Sequence, residues 1–237
     1  MSEEEAKKAG APEGAEAKEP SPKRLTQKTR MVIGVVAAVV IVAAVGLFVW
    51  HEQPSFCSAI CHTPMDPYLP TYEAEPGQAS HDKWGNDVPD ASGMMAATHR
   101  VEADADCMAC HVPTLGEQVS EGFAWVSGGY EVINTGAYQN ALMERSLSEL
   151  TAARGVDQDQ FCLGSGCHDM TRDELEELTS DRAFNPHSSA HGDVSCGTCH
   201  KAHRQSVMYC TKCHDAAEAT MPEGWITFEQ SQILERA

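Results

Sequence analysis

Basic side chains are scarce along most of this chain. The first thirty residues hold seven of the 17 lysines and arginines but only six of the 35 acidic residues, so the rest carries ten basic against 29 acidic groups. The resulting net charge of −19 excludes nucleic acid as a partner, because DNA and RNA repel an acidic protein. Such a surface favours solubility, and it equally suits a partner with a basic docking face.

Large aliphatic residues are nearly absent from residues 1–30, and charges are absent from residues 31–50. Leu25 is the one aliphatic residue larger than alanine in the first segment beyond the initiator methionine, which predicts a disordered tail. The second segment reads MVIGVVAAVVIVAAVGLFVW and would span about 30 Å as a helix, one bilayer core. The sequence therefore predicts a transmembrane anchor helix over residues 31–50.

The charges that flank this apolar run predict its orientation. Four basic residues precede it closely, and the next one beyond it is Lys83. By the positive-inside rule, residues 1–30 are cytoplasmic and residues 51–237 form an extracytoplasmic domain of a single-pass protein in the cytoplasmic membrane. A cleaved signal peptide is the alternative, but the run is long and follows a polar tail, which favours an uncleaved anchor. Either version exports the domain.

No cysteine stands outside five pairs, and a histidine follows every pair. Three motifs read CMACH, CGTCH and CTKCH, at residues 107–111, 196–200 and 210–214, which is the pattern of covalent c-type haem attachment. CSAICH at 57–62 and CLGSGCH at 162–168 carry longer spacers. Zinc sites and disulfides do not require a histidine after each second cysteine, so both are excluded.

The sequence thus predicts five covalently bound c-type haems, each with a proximal histidine on its iron. Glycine accepts the positive φ of a tight bulge, so Gly164 and Gly166 allow the long spacer to loop out. The haem-binding cysteines are Cys57, Cys61, Cys107, Cys110, Cys162, Cys167, Cys196, Cys199, Cys210 and Cys213, and the proximal histidines are His62, His111, His168, His200 and His214.

Strand patterns are nearly absent, and residues 51–237 are too few to build an ordinary core around five haems. We therefore expect a mainly α multihaem cytochrome c fold of low secondary-structure content, with a haem-filled core and one N-terminal transmembrane helix. Residues 114–150 lack proline and predict a helix that Gly128 and Gly129 break. Thr171 starts a second helix as the first residue of a capping box.

Six histidines lie outside the motifs, and His51 belongs to the membrane edge. The other five match the number of open iron faces, as bis-histidine haems require. Met65 is a further candidate for the first haem, where methionine would raise the reduction potential. The candidate distal ligands are His81, His99, His187, His191, His203 and Met65.

The apolar span, CSAICHTPMDPY, Ser80-His81 and CMACHVP together resemble the membrane-anchored quinol dehydrogenases of the NapC/NirT/NrfH type, over about residues 25–140. This resemblance implies that a haem beside the membrane accepts electrons from quinol, and that Lys83, Asp82 and Asp87 handle the protons. The family pattern is C-x-x-C-H-x-M, and the extra residues before His62 and Met65 put methionine ligation in doubt here.

The segment NPHSSAHGDVSCGTCHKAHRQSVMYCTKCHD, residues 185–215, resembles the tetrahaem domain of flavocytochrome c fumarate reductases. That resemblance implies His187, His191 and His203 as distal ligands, with one residue added between the first two. Because no flavin domain follows in these residues, we expect any flavoprotein partner to be a separate chain.

Together these patterns predict an electron-transfer protein with expected quinol dehydrogenase activity. It would carry electrons from menaquinol to an extracytoplasmic reductase, either a fumarate-reductase-like flavoprotein or a nitrite or nitrate reductase, in anaerobic respiration. The first alternative is a terminal multihaem oxidoreductase that acts on a small oxyanion, although the C-x-x-C-K motif of nitrite reductases is absent. The second is a passive electron-wire subunit that never contacts quinol.

Overall fold

The computed structural model describes residues 26–56, 67–129, 147–151, 153–164 and 166–234. In these ranges the chain consists of short helices joined by irregular segments, with little sheet, so the predicted mainly α fold is confirmed. The helices are α1 (Gln27–His51), α2 (Leu69–Glu73), α3 (Met95–Ala103), α4 (Cys107–Cys110), α5 (Leu115–Ser127), α6 (Leu147–Leu150), α7 (Gln158–Leu163), α8 (Arg172–Leu178), α9 (Cys196–Cys199) and α10 (Phe228–Leu234).

Helix α1 contains the predicted apolar span but starts earlier. The prediction assigned residues 27–30 to the tail, whereas the structure has them helical. The reason is local, because the Thr26 hydroxyl accepts a hydrogen bond from the Thr29 amide at 3.3 Å and so caps the first turn. Among the described residues, α1 is the one helix long and apolar enough to cross a membrane.

The chain divides into two compact units, residues 1–46 and residues 47–237. The first unit holds most of α1, and the second holds every other described element.

Helices α5 and α8 begin where the sequence predicts. Thr114 and Thr171 each accept from the amide three residues ahead, and Glu117 and Glu174 complete the two capping boxes. Helix α5 ends at Gly128, whose φ of 68° is left-handed, so the predicted break is confirmed. Residues 130–146 of the predicted second part of this helix lie outside the described residues.

Two small sheets stabilise the loops. Strands β1 (Ser80–His81) and β2 (Asp87–Val88) pair antiparallel, and β3 (Val207–Met208) and β4 (Ile226–Thr227) pair parallel. The buried cluster beside the first sheet is small and contains three alanines, one valine and one methionine: Ala74, Val88, Ala91, Met94 and Ala97. A core this small agrees with a fold built around its cofactors.

A backbone junction joins two distant parts of the chain. The N-terminal turn of α3 donates from Met95 to the Lys201 carbonyl at 2.9 Å and from Ala96 to the Ala202 carbonyl at 3.0 Å. These two hydrogen bonds therefore hold helix α3 beside the loop that follows the CGTCH motif.

Candidate functional site

The four motifs from residue 107 onward share one kind of backbone hydrogen bond. In each, the amide of the motif histidine donates to the carbonyl of the first cysteine of its own motif. These hydrogen bonds are His111 to Cys107 at 2.9 Å, His168 to Cys162 at 3.1 Å, His200 to Cys196 at 3.0 Å and His214 to Cys210 at 2.9 Å. Each bond closes a short loop that holds the motif histidine beside the first cysteine, as attachment to one haem requires.

The CLGSGCH motif makes this same bond despite its longer spacer. Gly166 has a φ of 88°, a backbone conformation that side-chain-bearing residues rarely adopt. Gly164 keeps an ordinary φ of −121° and ends helix α7 instead. Of the two glycines expected to allow the bulge, Gly166 is the one in a left-handed conformation.

The first motif cannot be placed in the same way. Cys57, Cys61, His62 and the candidate ligand Met65 lie outside the described residues. His51, which we assigned to the membrane edge, has its ring 5.0 Å from Phe56 and its Nδ1 3.1 Å from a Glu52 carboxylate oxygen.

Each of the four described motif histidines faces one histidine from outside the motifs. The ring centroids are 6.0 Å apart for His168 and His99, 6.1 Å for His111 and His203, 6.3 Å for His200 and His187, and 6.1 Å for His214 and His191. Four of the five distal histidines expected from the sequence are therefore brought to a motif histidine.

This separation fits an iron ion between the rings. A histidine nitrogen binds a transition metal at about 2 Å, so two imidazoles on opposite sides of one ion have centroids about 6 Å apart. The angle between the ring planes differs among the pairs, from 82° for His99 and His168 to 1° for His187 and His200. The donor set, two imidazoles beside two cysteines, is the set that holds a c-type haem.

Hydrogen bonds at Nδ1 orient three of the four paired non-motif histidines. Nδ1 of His99 lies 2.9 Å from the Met95 carbonyl, which can only accept, so Nδ1 carries the proton. Nδ1 of His187 lies 3.2 Å from the Thr179 hydroxyl, and Nδ1 of His203 lies 2.7 Å from the Thr71 hydroxyl. A proton on Nδ1 leaves the Nε2 lone pair available to a metal.

Burial favours the neutral form of two of the paired histidines, His187 and His200. Burial, together with the neighbouring His187, His99 and His168, lowers the pKa of His200 to about 4. Burial also lowers the pKa of His187, assisted by the charge of Arg172. Neutral imidazole is the form that binds metal, so these sites are set for ligation at neutral pH.

The cysteines show which motifs are neighbours. A hydrogen bond between the thiols of Cys162 and Cys196 raises the pKa of Cys162 and lowers that of Cys196 to about 7. Burial raises the pKa of Cys110, and nearby Cys167 raises it further. Motif 162–168 therefore lies beside both motif 107–111 and motif 196–200.

The last two motifs are also neighbours. Burial raises the pKa of Cys199, and Cys210 acts in the same direction. The four described motifs thus form a series in their sequence order.

The residues implied for quinol chemistry occupy three different environments. Asp82 is 3% exposed, and its carboxylate accepts from the amides of Trp84 and Asn86, so it shapes the loop between β1 and β2. Lys83 is 6% exposed, and its amide donates to the His203 carbonyl at 2.8 Å. Lys83 thus lies beside a paired histidine.

Asp87 and His81 lie at the surface. The Asp87 side chain is 96% exposed and pairs with Nε2 of His81 at 3.1 Å. Nε2 of His81 thus lies beside a carboxylate, whereas the other distal histidines in the described ranges have their rings beside a motif histidine.

Sequence reasoning missed the two threonines that orient histidines. Thr179 follows α8, and its hydroxyl contacts both Asn185 and His187. The Asn-Pro-His segment therefore indicated the histidine in the sequence, but not the threonine that contacts it. Thr71 lies in the unremarkable sequence LPTYE, and no pattern singles it out.

Comparison with known proteins places the chain among multihaem cytochromes. The cytochrome c3 family matches residues 148–215. The cytochrome c-type protein Cgr1 of Eggerthella lenta is 54% identical over 219 residues, which cover 92% of this chain and 95% of Cgr1. A probable fumarate reductase, Ifc3 of Shewanella frigidimarina, is 42% identical over 50 residues, 21% of this chain and 8% of that protein.

No solved structure matches the chain. The identity to Cgr1 is high over nearly the full length of both proteins, and four haem-attachment motifs have paired histidines. These findings show that the chain belongs to the family of the cytochrome c-type protein Cgr1 and is a multihaem electron-transfer cytochrome.

Proposed function

We propose that this cytochrome takes electrons from menaquinol at the membrane and delivers them to a separate reductase outside the cytoplasm. The observation that supports this most strongly is the set of four histidine pairs, each with one motif member and ring centroids 6.0–6.3 Å apart. Two axial histidines leave no iron face open to substrate, which favours electron transfer over catalysis at an open iron.

In this proposal the chain binds five haems, four of them bis-histidine. When bound, a c-type haem supplies a one-electron redox centre. The proposed axial pairs are His111 with His203, His168 with His99, His200 with His187, and His214 with His191. The first site uses His62 with either His81 or Met65.

Haem content and ligation can be measured directly. A pyridine haemochrome assay with intact mass should give five covalent haems and an N-terminus processed at most at Met1. Four haems with reactive thiols at Cys57 and Cys61 would refute the first site. EPR should separate the nearly perpendicular rings of His99 and His168 from the parallel rings of His187 and His200, because ring orientation determines the splitting of the iron d orbitals.

The proposed electron entry is the membrane end of the chain. Helix α1, kept as an uncleaved anchor, would hold residues 57–62 within a few residues of the bilayer, with residues 1–30 in the cytoplasm. Proton release from quinol needs titratable groups with access to water. The exposed Asp87 carboxylate provides such a group, and Lys83 and Asp82 are buried on the same loop.

The proposed exit is the end of the motif series at residues 210–214. The resemblance of the C-terminal region to fumarate reductase tetrahaem domains, and the local similarity to Ifc3, favour a flavoprotein that reduces an organic acid. The NapC-type resemblance of the N-terminal part would instead favour a nitrite or nitrate reductase. The acidic domain would dock on a basic face in either case.

Reconstitution in liposomes tests the entry site. Reduction of the haems by a menaquinol analogue should be slower in the Lys83→Met and Asp87→Asn variants, whereas reduction by dithionite should be unchanged. Glu121→Gln, an exposed carboxylate on α5, is the matched control and should reduce at the wild-type rate. If wild-type protein is reduced by dithionite but not by the quinol analogue, the protein is a passive wire.

A copurification experiment tests the exit. The reductase that copurifies with the detergent-extracted protein should accept its electrons, and the transfer rate should fall as salt rises, because charges are screened beyond about 8 Å at physiological ionic strength. Turnover of nitrite by the cytochrome alone would instead support the terminal-reductase alternative.

A further inference from the structure

The Thr71 hydroxyl lies between a carbonyl and a histidine ring. Thr71 is completely buried within α2. Its Oγ1 donates to the Tyr68 carbonyl at 2.6 Å and lies 2.7 Å from Nδ1 of His203. Helix α2 follows the first haem motif closely in sequence, whereas His203 lies between the last two motifs.

These two contacts determine where the histidine proton sits. A hydroxyl has one hydrogen, and the Tyr68 carbonyl can only accept, so that hydrogen points to the carbonyl. Oγ1 must then accept from His203, which places a proton on Nδ1. The Nε2 lone pair of His203 is left for the iron site shared with His111, whose ring centroid is 6.1 Å away.

Two further contacts hold the same histidine. The Tyr68 ring packs edge-on against the His203 ring at 5.1 Å and 71°, and the Lys83 amide donates to the His203 carbonyl at 2.8 Å. The backbone and the ring plane of His203 are thus both held, and Thr71 supplies the contact that selects the tautomer.

We propose that Thr71 is a positioning residue that fixes the tautomer and orientation of His203 as the sixth ligand of the haem attached at Cys107 and Cys110. This inference rests on the ligand pairing in the proposed function. Partners of this kind orient metal-bound histidines, and their loss typically weakens metal binding about 10- to 100-fold.

Carbon monoxide binding to the dithionite-reduced holoprotein tests this proposal. Bis-histidine iron does not bind carbon monoxide readily, so a weakened His203 should open one haem to it. Thr71→Val, nearly isosteric but without the hydroxyl, should show carbon monoxide binding equivalent to one haem and lose one low-spin EPR signal. Thr71→Ser keeps a hydroxyl and should behave as wild type.

Thr98→Val is the matched control. Like Thr71, Thr98 lies in a helix and donates its hydroxyl to backbone carbonyls, here those of Met94 and Met95, but these hydrogen bonds involve no histidine. This variant should retain the wild-type carbon monoxide and EPR behaviour.

His203→Ala separates the two ways in which the idea can fail. If it opens no haem to carbon monoxide, the pairing of His203 with His111 is wrong. If it opens one haem while Thr71→Val opens none, the pairing stands and Thr71 has no positioning role. If Thr71→Val fails to fold, Thr71→Ala takes its place, because it removes the hydroxyl without adding a methyl group. Alanine and serine variants that behave alike would also overturn the proposal.

Discussion

Gly93 and Gly224 lie backbone to backbone, and Gly93→Ala should break that contact. A Cβ built on Gly93 would lie 2.1 Å from the Gly224 carbonyl oxygen and 2.6 Å from its carbonyl carbon. The clash is with main chain, which cannot rotate aside as a flexible side chain can. The two segments must therefore separate before an alanine fits.

The separation would disturb more than one contact. Gly93 also accepts from the Ser206 amide at 2.8 Å, and the Gly224 carbonyl accepts from Nε2 of Gln205 at 2.8 Å. The adjacent junction binds helix α3 to the loop at residues 201–206. His99 lies on α3 and His203 lies on that loop, so the clash reaches two proposed axial ligands.

The expected loss follows from these contacts. Overpacking costs about 1–3 kcal/mol, and each weakened hydrogen bond adds about 0.5–1.5 kcal/mol. For a total of about 3 kcal/mol, a domain of 150–250 residues loses about 2–4 °C of Tm per kcal/mol, or roughly 6–12 °C. The low-spin EPR signals of the haems proposed to bind His99 and His203 should weaken as well.

Thermal unfolding of the holoprotein, followed by circular dichroism, measures the shift. Gly122→Ala is the control, because its Cβ meets nothing within 4 Å in the interior of helix α5. Alanine there should stabilise that helix by about 0.5–1 kcal/mol. A Gly93→Ala protein that melts with the wild type and keeps all its low-spin signals would refute the reasoning.

Three further predictions concern local features. Thr114→Ala removes a helix cap and should cost about 1 kcal/mol of unfolding free energy, measured by denaturant titration, with no change in haem count. Gly166→Ala forces a side chain into a φ of 88°, so mass spectrometry should find less haem attached at residues 162–168, whereas a wild-type yield would show that the bulge adapts. The Arg172 guanidinium, bonded through Nε at 2.7 Å, lowers the pKa of Asp159, so this pair stabilises the folded state above the ordinary carboxyl pKa and ceases to do so as pH falls through the lowered one. Asp159→Asn should therefore lower Tm at pH 7, and its difference from wild type should shrink below about pH 4; a difference independent of pH would contradict this.

Local chemistry was predictable from the residues themselves. The capping box at Thr171, the helix start near Thr114 and the helix end at Gly128 lie where the sequence predicts them, because each depends on contacts within one turn. The haem motifs are equally local, since the amide of each described motif histidine reaches a carbonyl of its own motif. The number of histidines outside the motifs also predicted bis-histidine sites, because counting them requires no knowledge of the tertiary structure.

The partner of each histidine was decided by tertiary structure alone. His99 lies far from His168 in sequence, and His111 lies far from His203, yet each pair of ring centroids is about 6 Å apart. No periodicity encodes such a distance, because it depends on the junction between α3 and residues 201–206 and on the close approach of Gly93 to Gly224. The role of Thr71 arises in the same way, since an ordinary threonine becomes an orienting group only when packing brings His203 to its hydroxyl. Residue types therefore determined which cofactor this chain can hold, and long-range packing determined which histidines meet in each pair.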